Sequence, residues 1–296
     1  FALRQYRKLR TFFNGRTPYK QIELFPPGHY EQDGKRYQYW SLPHHPQLPP
    51  TDDELKALLL DAVSIRCIAD VRVGSYLSGG LDSTLVARIA NKPDTWSVGF
   101  QEHNEFEWAQ LAAKAMGSHH RDVLVEPDSF AEIAKEMIQF RAEPLSVPNE
   151  VLLFKMTQKV KEQNTVVLSG EGADELFYGY DRIFRWAQES SWDLDQFASR
   201  YAYGTHHDPE VVEDALAPFM GNEGTLNRVA AFFQIAHLHG LLRRLDNSTM
   251  RCSVEARVPF VDHRLVERMA GVPFEYRMAN DIVKAPLKRT FRDWIP

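Results

Sequence analysis

The chain has 296 residues, 44% hydrophobic and 25% charged, with two cysteines and a net charge of -5, which is ordinary globular composition for one large domain or a domain with an appendage. The acidic balance speaks against a nucleic-acid footprint, and no apolar run approaches the length that spans a bilayer. Cys67 and Cys252 make no metal-ligand spacing and fit a reducing, cytoplasmic protein better than a disulfide scaffold.

The start, Phe1-Ala2-Leu3-Arg4, is no signal peptide, and a chain running from Phe1 to Trp294-Ile295-Pro296 is expected to be a fragment of a longer one. Residues 1–50 read as short strands and turns followed by a linker. Pro26-Pro27-Gly28-His29 and the hairpin-like Gln32-Asp33-Gly34-Lys35 are followed by a Pro- and His-rich link from Leu42-Pro43-His44-His45-Pro46 to Pro49-Pro50. From Thr51, a cap and three acids (Asp52, Asp53, Glu54) signal a helix whose apolar stripe is Leu55, Leu58, Leu59, Ala62 and Ile65.

The most informative stretch is Val71 to Val86. Its first half, through Tyr76 and Leu77, reads as a buried strand, and from Leu81 the apolar spacing turns helical (Leu81, Leu85, Ile89). Ser78-Gly79-Gly80 lies between. Glycines there let the backbone turn and leave N–H groups open at the positive end of a helix, a turn suited to an anion, above all phosphate. A carboxylate beside phosphate needs a cation between them, so Asp82 points to magnesium; the plainer alternative is an ordinary strand-to-helix turn with a capping Asp.

The pattern then repeats. Strands are predicted over 95–100, 122–125 and 165–170, and helices over 105–116, 129–140 and 151–161. Such alternation argues for an α/β fold with a parallel sheet and helices on both faces. Ligands of such sheets sit at the carboxyl ends of the strands, which gathers Ser78-Gly79-Gly80, Val98-Gly99 and Ser169-Gly170. Directly after the last of these comes Ser169-Gly170-Glu171-Gly172-Ala173-Asp174-Glu175-Leu176-Phe177-Tyr178. Carboxylates this dense repel one another unless a metal or a base role compensates. Asp174 is the natural partner of Asp82 on magnesium, with Glu171 left as general base or orienting group; the alternative is an acidic, solvated helix start.

Residues 181–245 are helical and aromatic-rich (Trp186, Trp192, Phe197, Tyr201, Tyr203, Phe219, Phe232, Phe233), the core of an added helical layer. His237 and His239 have no Cys or Glu at ligand spacing. Glu255, Arg257 and Asp262 read either as a structural ion-pair set or as substrate-facing. Lys284, Lys288, Arg289 and Arg292 form a basic cluster, of which one lysine reaches a nucleotide or all make a basic helix face.

These residues resemble the synthetase domain of asparagine synthetases, in the ATP pyrophosphatase (PP-loop, adenine nucleotide alpha hydrolase-like) group. The resemblance is carried by Ser78-Gly79-Gly80-Leu81-Asp82-Ser83, by 169–177, by Ser253-Val254-Glu255-Ala256-Arg257-Val258-Pro259-Phe260-Val261-Asp262-His263, and by Lys284 with Leu287-Lys288. It covers nearly the whole chain and implies that 51–296 is an ATP-dependent synthetase domain, expected to be truncated at its C-terminus. Residues 1–50, with Leu24 to His29 and Tyr39-Trp40, resemble the tail and linker of the preceding glutaminase domain, a short β remnant whose catalytic amino-terminal cysteine is absent.

The resemblance implies a two-step ligase reaction with ATP and Mg2+. A carboxylate, aspartate in the namesake enzymes, attacks the α-phosphorus to give an acyl-adenylate and pyrophosphate, and ammonia drawn from glutamine then displaces AMP. By the match, Tyr76, Leu77, Ser78, Gly79, Gly80, Asp82, Ser83, Val98, Ser169 and Gly170 bind ATP, and Asp82 and Asp174 hold the metal. Lys284 stabilises charge near the α-phosphate, and Glu171 takes a proton from the amine. Relatives that close β-lactam rings have tyrosine in place of Glu171, so the chain leans to the amidating branch. Tyr178 stands where a glycine is usual, on the acyl-acceptor side with Glu175, Glu255, Arg257 and Asp262 as substrate-side candidates. Other departures are Asn104, Asn247 and Lys288. An amide ligase for another carboxylate, or a catalytically silent nucleotide-binding relative, are the competing readings; the family suggests a homodimer.

Overall fold

The computed structural model describes residues 1–43, 45–91 and 94–295. His44, within the expected link, and Pro296, at the expected truncation, lie outside the described residues, as do Lys92 and Pro93.

Strands β1 (His29–Gln32) and β2 (Lys35–Gln38) form an antiparallel hairpin in which Gln32 faces Lys35. Its two-residue turn takes Asp33 and Gly34 to φ of 51° and 72°, the left-handed pair that lets a tight turn follow the strand twist. The hairpin predicted from sequence is therefore present. The expectation of only strands and turns before residue 50 is not met, because Ala2–Leu9 is a helix. Its apolar face was hidden among four basic residues of the first ten, and it is held by tertiary contacts rather than by propensity. Leu9 and Phe13 join the main buried cluster, where Phe13 stacks on Phe232 at 5.5 Å.

The main sheet is parallel and has five strands: β3 (Val73–Tyr76), β4 (Asp94–Gly99), β5 (His119–Leu124), β6 (Val166–Leu168) and β7 (Glu255–Arg257), in the order β5-β4-β3-β6-β7. Consecutive residues of β6 enter different buried clusters: Val166 and Leu168 pack with Leu55, Leu59 and Leu85, whereas Val167 packs with Tyr76, Trp96 and Val160. Both faces are thus covered by helices, as the alternation of elements predicts. β7 was not expected. Glu255-Ala256-Arg257 carries no apolar run, and its pairing beside β6 is fixed by backbone bonds rather than by side-chain pattern.

The helix expected after Thr51 is Asp52–Arg66, with Thr51 Oγ1 accepting from Glu54 N at 3.2 Å. Leu55, Leu59 and Ala62 are buried as predicted, but Val63 takes the place assigned to Ile65, which is 42% exposed. The buried face runs from Leu55 to Leu59 and on to Ala62 and Val63, in steps of three and four, which leaves Ile65 to one side of it. The helix after β4 is Phe106–Met116, closed by Gly117 at φ 65°, and Phe130–Arg141 and Asn149–Val160 follow.

The added helical layer holds most of the aromatic residues expected there. Phe197 meets Phe232 edge to face at 5.4 Å, and Trp186, Phe219 and Phe233 are buried. Tyr203 is the exception, 45% exposed. The helices Thr225–Phe232 and Leu238–Met250 are joined by a π-helical stretch, Phe233–His237. Among the described residues no helix is long and apolar enough to cross a membrane.

Candidate active site

β3 ends at Tyr76 and the next helix begins at Leu81, so the turn between them is built by the serines and glycines of the motif. Ser78 N donates to Ser83 Oγ (3.1 Å), Gly80 N donates to Ser78 Oγ (3.2 Å), and Ser83 Oγ donates to Gly80 O (3.3 Å). Gly79 has φ 81°, and a Cβ there would lie 2.5 Å from the Trp108 backbone, so only glycine closes this turn. The first N–H groups of the helix Leu81–Ala90 point out of its end into this loop.

β6 lies beside β3, and the second motif leaves it directly. A Cβ on Gly170 would meet Ser83 N at 2.9 Å and Asp82 C at 3.0 Å. The two motifs, far apart in sequence, therefore touch backbone to backbone, as the strand-end argument requires. A third segment closes the site: Lys284, in a left-handed backbone conformation (φ 54°) at the start of the helix Ala285–Thr290. Its Nζ lies 2.5 Å from Asp82 Oδ2 and 2.6 Å from Asp174 Oδ1. Gly179 makes room for this arrangement, since a Cβ there would come 2.4 Å from Lys284 Cε and closer still to Asp174.

Burial pushes the Asp82 carboxyl up to about 6, against the pull of Lys284, with Asp174 and Glu171 adding to the rise. The Lys284 ammonium is raised instead, because Asp82 and Asp174 outweigh the burial that alone would lower it. Asp82 Oδ1 is buried with no hydrogen-bond partner. An orphaned carboxylate oxygen facing a second carboxylate suits a magnesium ion whose remaining ligands come from phosphate and water. Among the described residues no group of three or more His, Cys, Asp and Glu is arranged to hold a metal by protein ligands alone.

Glu171 is held by a residue that sequence did not single out: Arg244 Nη2 donates to its Oε1 at 3.2 Å. Glu175, on the acceptor side by expectation, is instead fully enclosed, with Tyr180 O–H donating to its Oε1 at 2.6 Å and His237 Nε2 at 3.6 Å. Burial raises its carboxyl to about 7 and drives the His237 imidazole down to about 3. No periodic signal marks Arg244 or His237, because their partners come from another part of the chain.

The remaining expected site residues divide. Ser169 Oγ, at the end of β6, accepts from Glu171 N at 3.4 Å and borders the two motifs. Tyr76 turns into the core, its hydroxyl 2.7 Å from Thr157 Oγ1, and Leu77 packs with Ala87 and Ala109, so they offer a ligand backbone rather than side chain. Val98 is half-buried beside Tyr76 and Trp96. Tyr178 is buried between Phe184, stacked at 4.1 Å, and Arg277, 4.3 Å above its ring. Glu255, Arg257 and Asp262 form ion pairs of the scaffold. Arg257 Nε donates to Glu255 at 2.8 Å and its Nη1 to the carbonyls of Arg66 and Ile68. Asp262 caps the helix His263–Met269 through Arg264 N and accepts from Arg66 and Arg264, which holds its carboxyl below the usual range even though burial opposes this. Of the basic cluster only Lys284 enters the site; Arg289 pairs with Asp52 at 2.6 Å.

The family model described as Asparagine synthase matches residues 54–296. Over 95% of its length the chain is 25% identical to asparagine synthetase [glutamine-hydrolyzing] 3 of Bacillus subtilis, covering 54% of that protein. It is 27% identical to the human asparagine synthetase [glutamine-hydrolyzing] over 96% of the chain and 52% of that protein. A putative asparagine synthetase [glutamine-hydrolyzing] of Mycobacterium bovis is 40% identical over 43% of the chain and 21% of its own length. The chain thus spans about half the length of the curated relatives it matches end to end.

Proposed function

The chain belongs to the asparagine synthase family, and on that premise we propose that it is the ATP-dependent, amide-forming part of a ligase that adenylates a carboxylate, with the side chain of aspartate as first choice. The observation that carries this reading is the convergence of Asp82, Asp174 and Lys284 at the mouth of the Ser78–Ser83 turn. In this reading the turn's N–H groups hold the β- and γ-phosphates, and Asp82 and Asp174 hold magnesium. The metal, when bound, supplies positive charge against the phosphate oxygens.

A carboxylate oxygen of the substrate attacks the α-phosphorus as the bond to the bridging oxygen breaks, giving acyl-adenylate and pyrophosphate. Lys284 moves from its carboxylates toward the phosphates and meets the charge that develops there. Ammonia then adds to the acyl carbon, Glu171 accepts its proton, and AMP leaves with the electron pair of the C–O bond. Arg244 orients the Glu171 carboxylate through the hydrogen bond from its Nη2. Ammonia drawn from glutamine by a glutaminase domain, of which residues 1–50 would be the tail, a homodimer and a cytoplasmic setting belong to the same proposal.

The test is release of AMP and pyrophosphate from Mg-ATP with aspartate and ammonium chloride, using the full-length protein. Asparagine formed by the wild type and lost in Asp82→Ala supports the reading. Pyrophosphate only with another carboxylate keeps the mechanism and replaces the substrate. ATP bound without turnover on any carboxylate replaces the ligase with a nucleotide-binding protein.

A further inference from the structure

Arg277 is 1% exposed, yet among the described residues no carboxylate forms an ion pair with it. An unpaired buried charge is expensive, so something else must compensate its guanidinium. Nη1 donates to Leu176 O at 3.2 Å, Nη2 donates to Met269 O, and the guanidinium carbon lies 4.3 Å over the Tyr178 ring. Leu176 lies one residue before the end of the short helix Ala173–Phe177, and Met269 ends the helix His263–Met269. These are carbonyls that a helix cannot satisfy internally, and an aromatic face is the other surface that takes a cation without a counter-ion. Nε is left buried without a partner.

One cation thus pins three pieces of the site. The helix Ala173–Phe177 carries Asp174, and its left-handed cap Tyr178 (φ 55°) delivers Gly179 against Asp174 and Lys284. Arg277 itself leads into the segment that brings Lys284 back to both carboxylates. We propose that Arg277 is a positioning residue, setting the Asp174–Lys284 geometry through the Leu176 carbonyl and the Tyr178 ring. Its relevance to Mg-ATP rests on the function proposed above; its effect on Lys284 does not. Lysine cannot replace it, because one ammonium cannot reach both carbonyls while lying flat on the ring.

The experiment compares wild type, Arg277→Gln and Arg277→Lys. In lysine-labelled protein the Lys284 ammonium resonance, assigned with Lys284→Met, reports the pair directly and needs no nucleotide. It should be distinct in the wild type and collapse toward free lysine in Arg277→Gln. Mg-ATP titrations should show affinity about tenfold weaker in both variants, the loss of one hydrogen bond to a charged group, in protein that circular dichroism shows to be folded. Added methylguanidinium should restore the Lys284 signal in Arg277→Gln. An unmoved Lys284 signal in a folded Arg277→Gln overturns the proposal, as does a signal lost together with the fold and unrescued by methylguanidinium. Wild type that shows the Lys284 signal but binds no Mg-ATP counts against the function, not against Arg277.

Discussion

Lys284 Nζ stands 2.5 Å from Asp82 Oδ2 across 202 residues of sequence, and the same nitrogen reaches Asp174 at 2.6 Å. The lysine fills the position in which sequence places a metal. One ammonium compensates both carboxylates, and in the proposed reaction a magnesium-bound nucleotide would take over that compensation as Lys284 turns toward phosphate. In that proposal a single ammonium serves first as counter-ion and then as phosphate ligand.

Replacing Lys284 by Met removes the only cation bonded to Asp82 among the described residues. Pyrophosphate formation should fall by about 10²–10³, the usual effect of deleting one preorganised charge. The chain should stay folded, because Asp82 can take up a proton. Steady-state release of pyrophosphate beside a circular-dichroism spectrum decides it; turnover within threefold of wild type refutes the assignment.

Gly170→Ala should be more damaging than a one-carbon change suggests. The new Cβ would press on the backbone at Ser83 (2.9 Å) and Asp82 (3.0 Å), not on a side chain that could swing away. A cost of about 1–3 kcal/mol is expected from such overpacking, together with displacement of the turn. Denaturant unfolding and Mg-ATP titration should both register it; ordinary affinity in this variant would mean that the two motifs need not touch.

Glu175 sets a pH dependence of stability. Its folded carboxyl is raised to about 7 from an ordinary 4.5, so between these values the native state holds a proton that the unfolded chain has lost. Stability then falls as pH rises through this window, by up to about 3 kcal/mol in total at about 1.4 kcal/mol per unit. Glu175→Gln keeps an acceptor for Tyr180 and has no charge to bury. The variant should match wild type near pH 4 and exceed it at pH 8 in urea unfolding; parallel curves for the two proteins would sink the argument.

Glu171→Gln separates the two half-reactions. Arg244 remains in place, but the amide cannot take a proton. Isotope exchange of pyrophosphate into ATP should survive, whereas amide formation should slow by about 10²–10⁴, the range for losing a general base. Equal loss of both halves would assign Glu171 to the nucleotide instead.

The glycine-bearing turns were legible because they are local. Ser78-Gly79-Gly80 must break a strand and start a helix, and the Val-Val-Leu run before Ser169 announces the neighbouring strand end. Segments fixed by distant partners were not. Ala2–Leu9 is a helix because Leu9 finds the core around Phe232, and Glu255–Arg257 is a strand because β6 offers it a ladder. Arg244 and Arg277 carry no signal in the sequence; the first answers Glu171 and the second two helix ends, relations that no spacing encodes. Tyr178, a substrate-side candidate by its place near the expected acceptor side, is buried, and its ring supplies the face on which Arg277 rests.

The span between Asp82 and Lys284 also sets a schedule for the nascent chain. At about 5–20 residues per second, roughly ten to forty seconds separate the emergence of the aspartate from that of its lysine. Through that interval the turn and Asp82, joined partway by Asp174, exist without their cation. A chain made only past Asp174 therefore carries an electrostatically frustrated pocket, and the segment bearing Lys284 acts as its closing rivet.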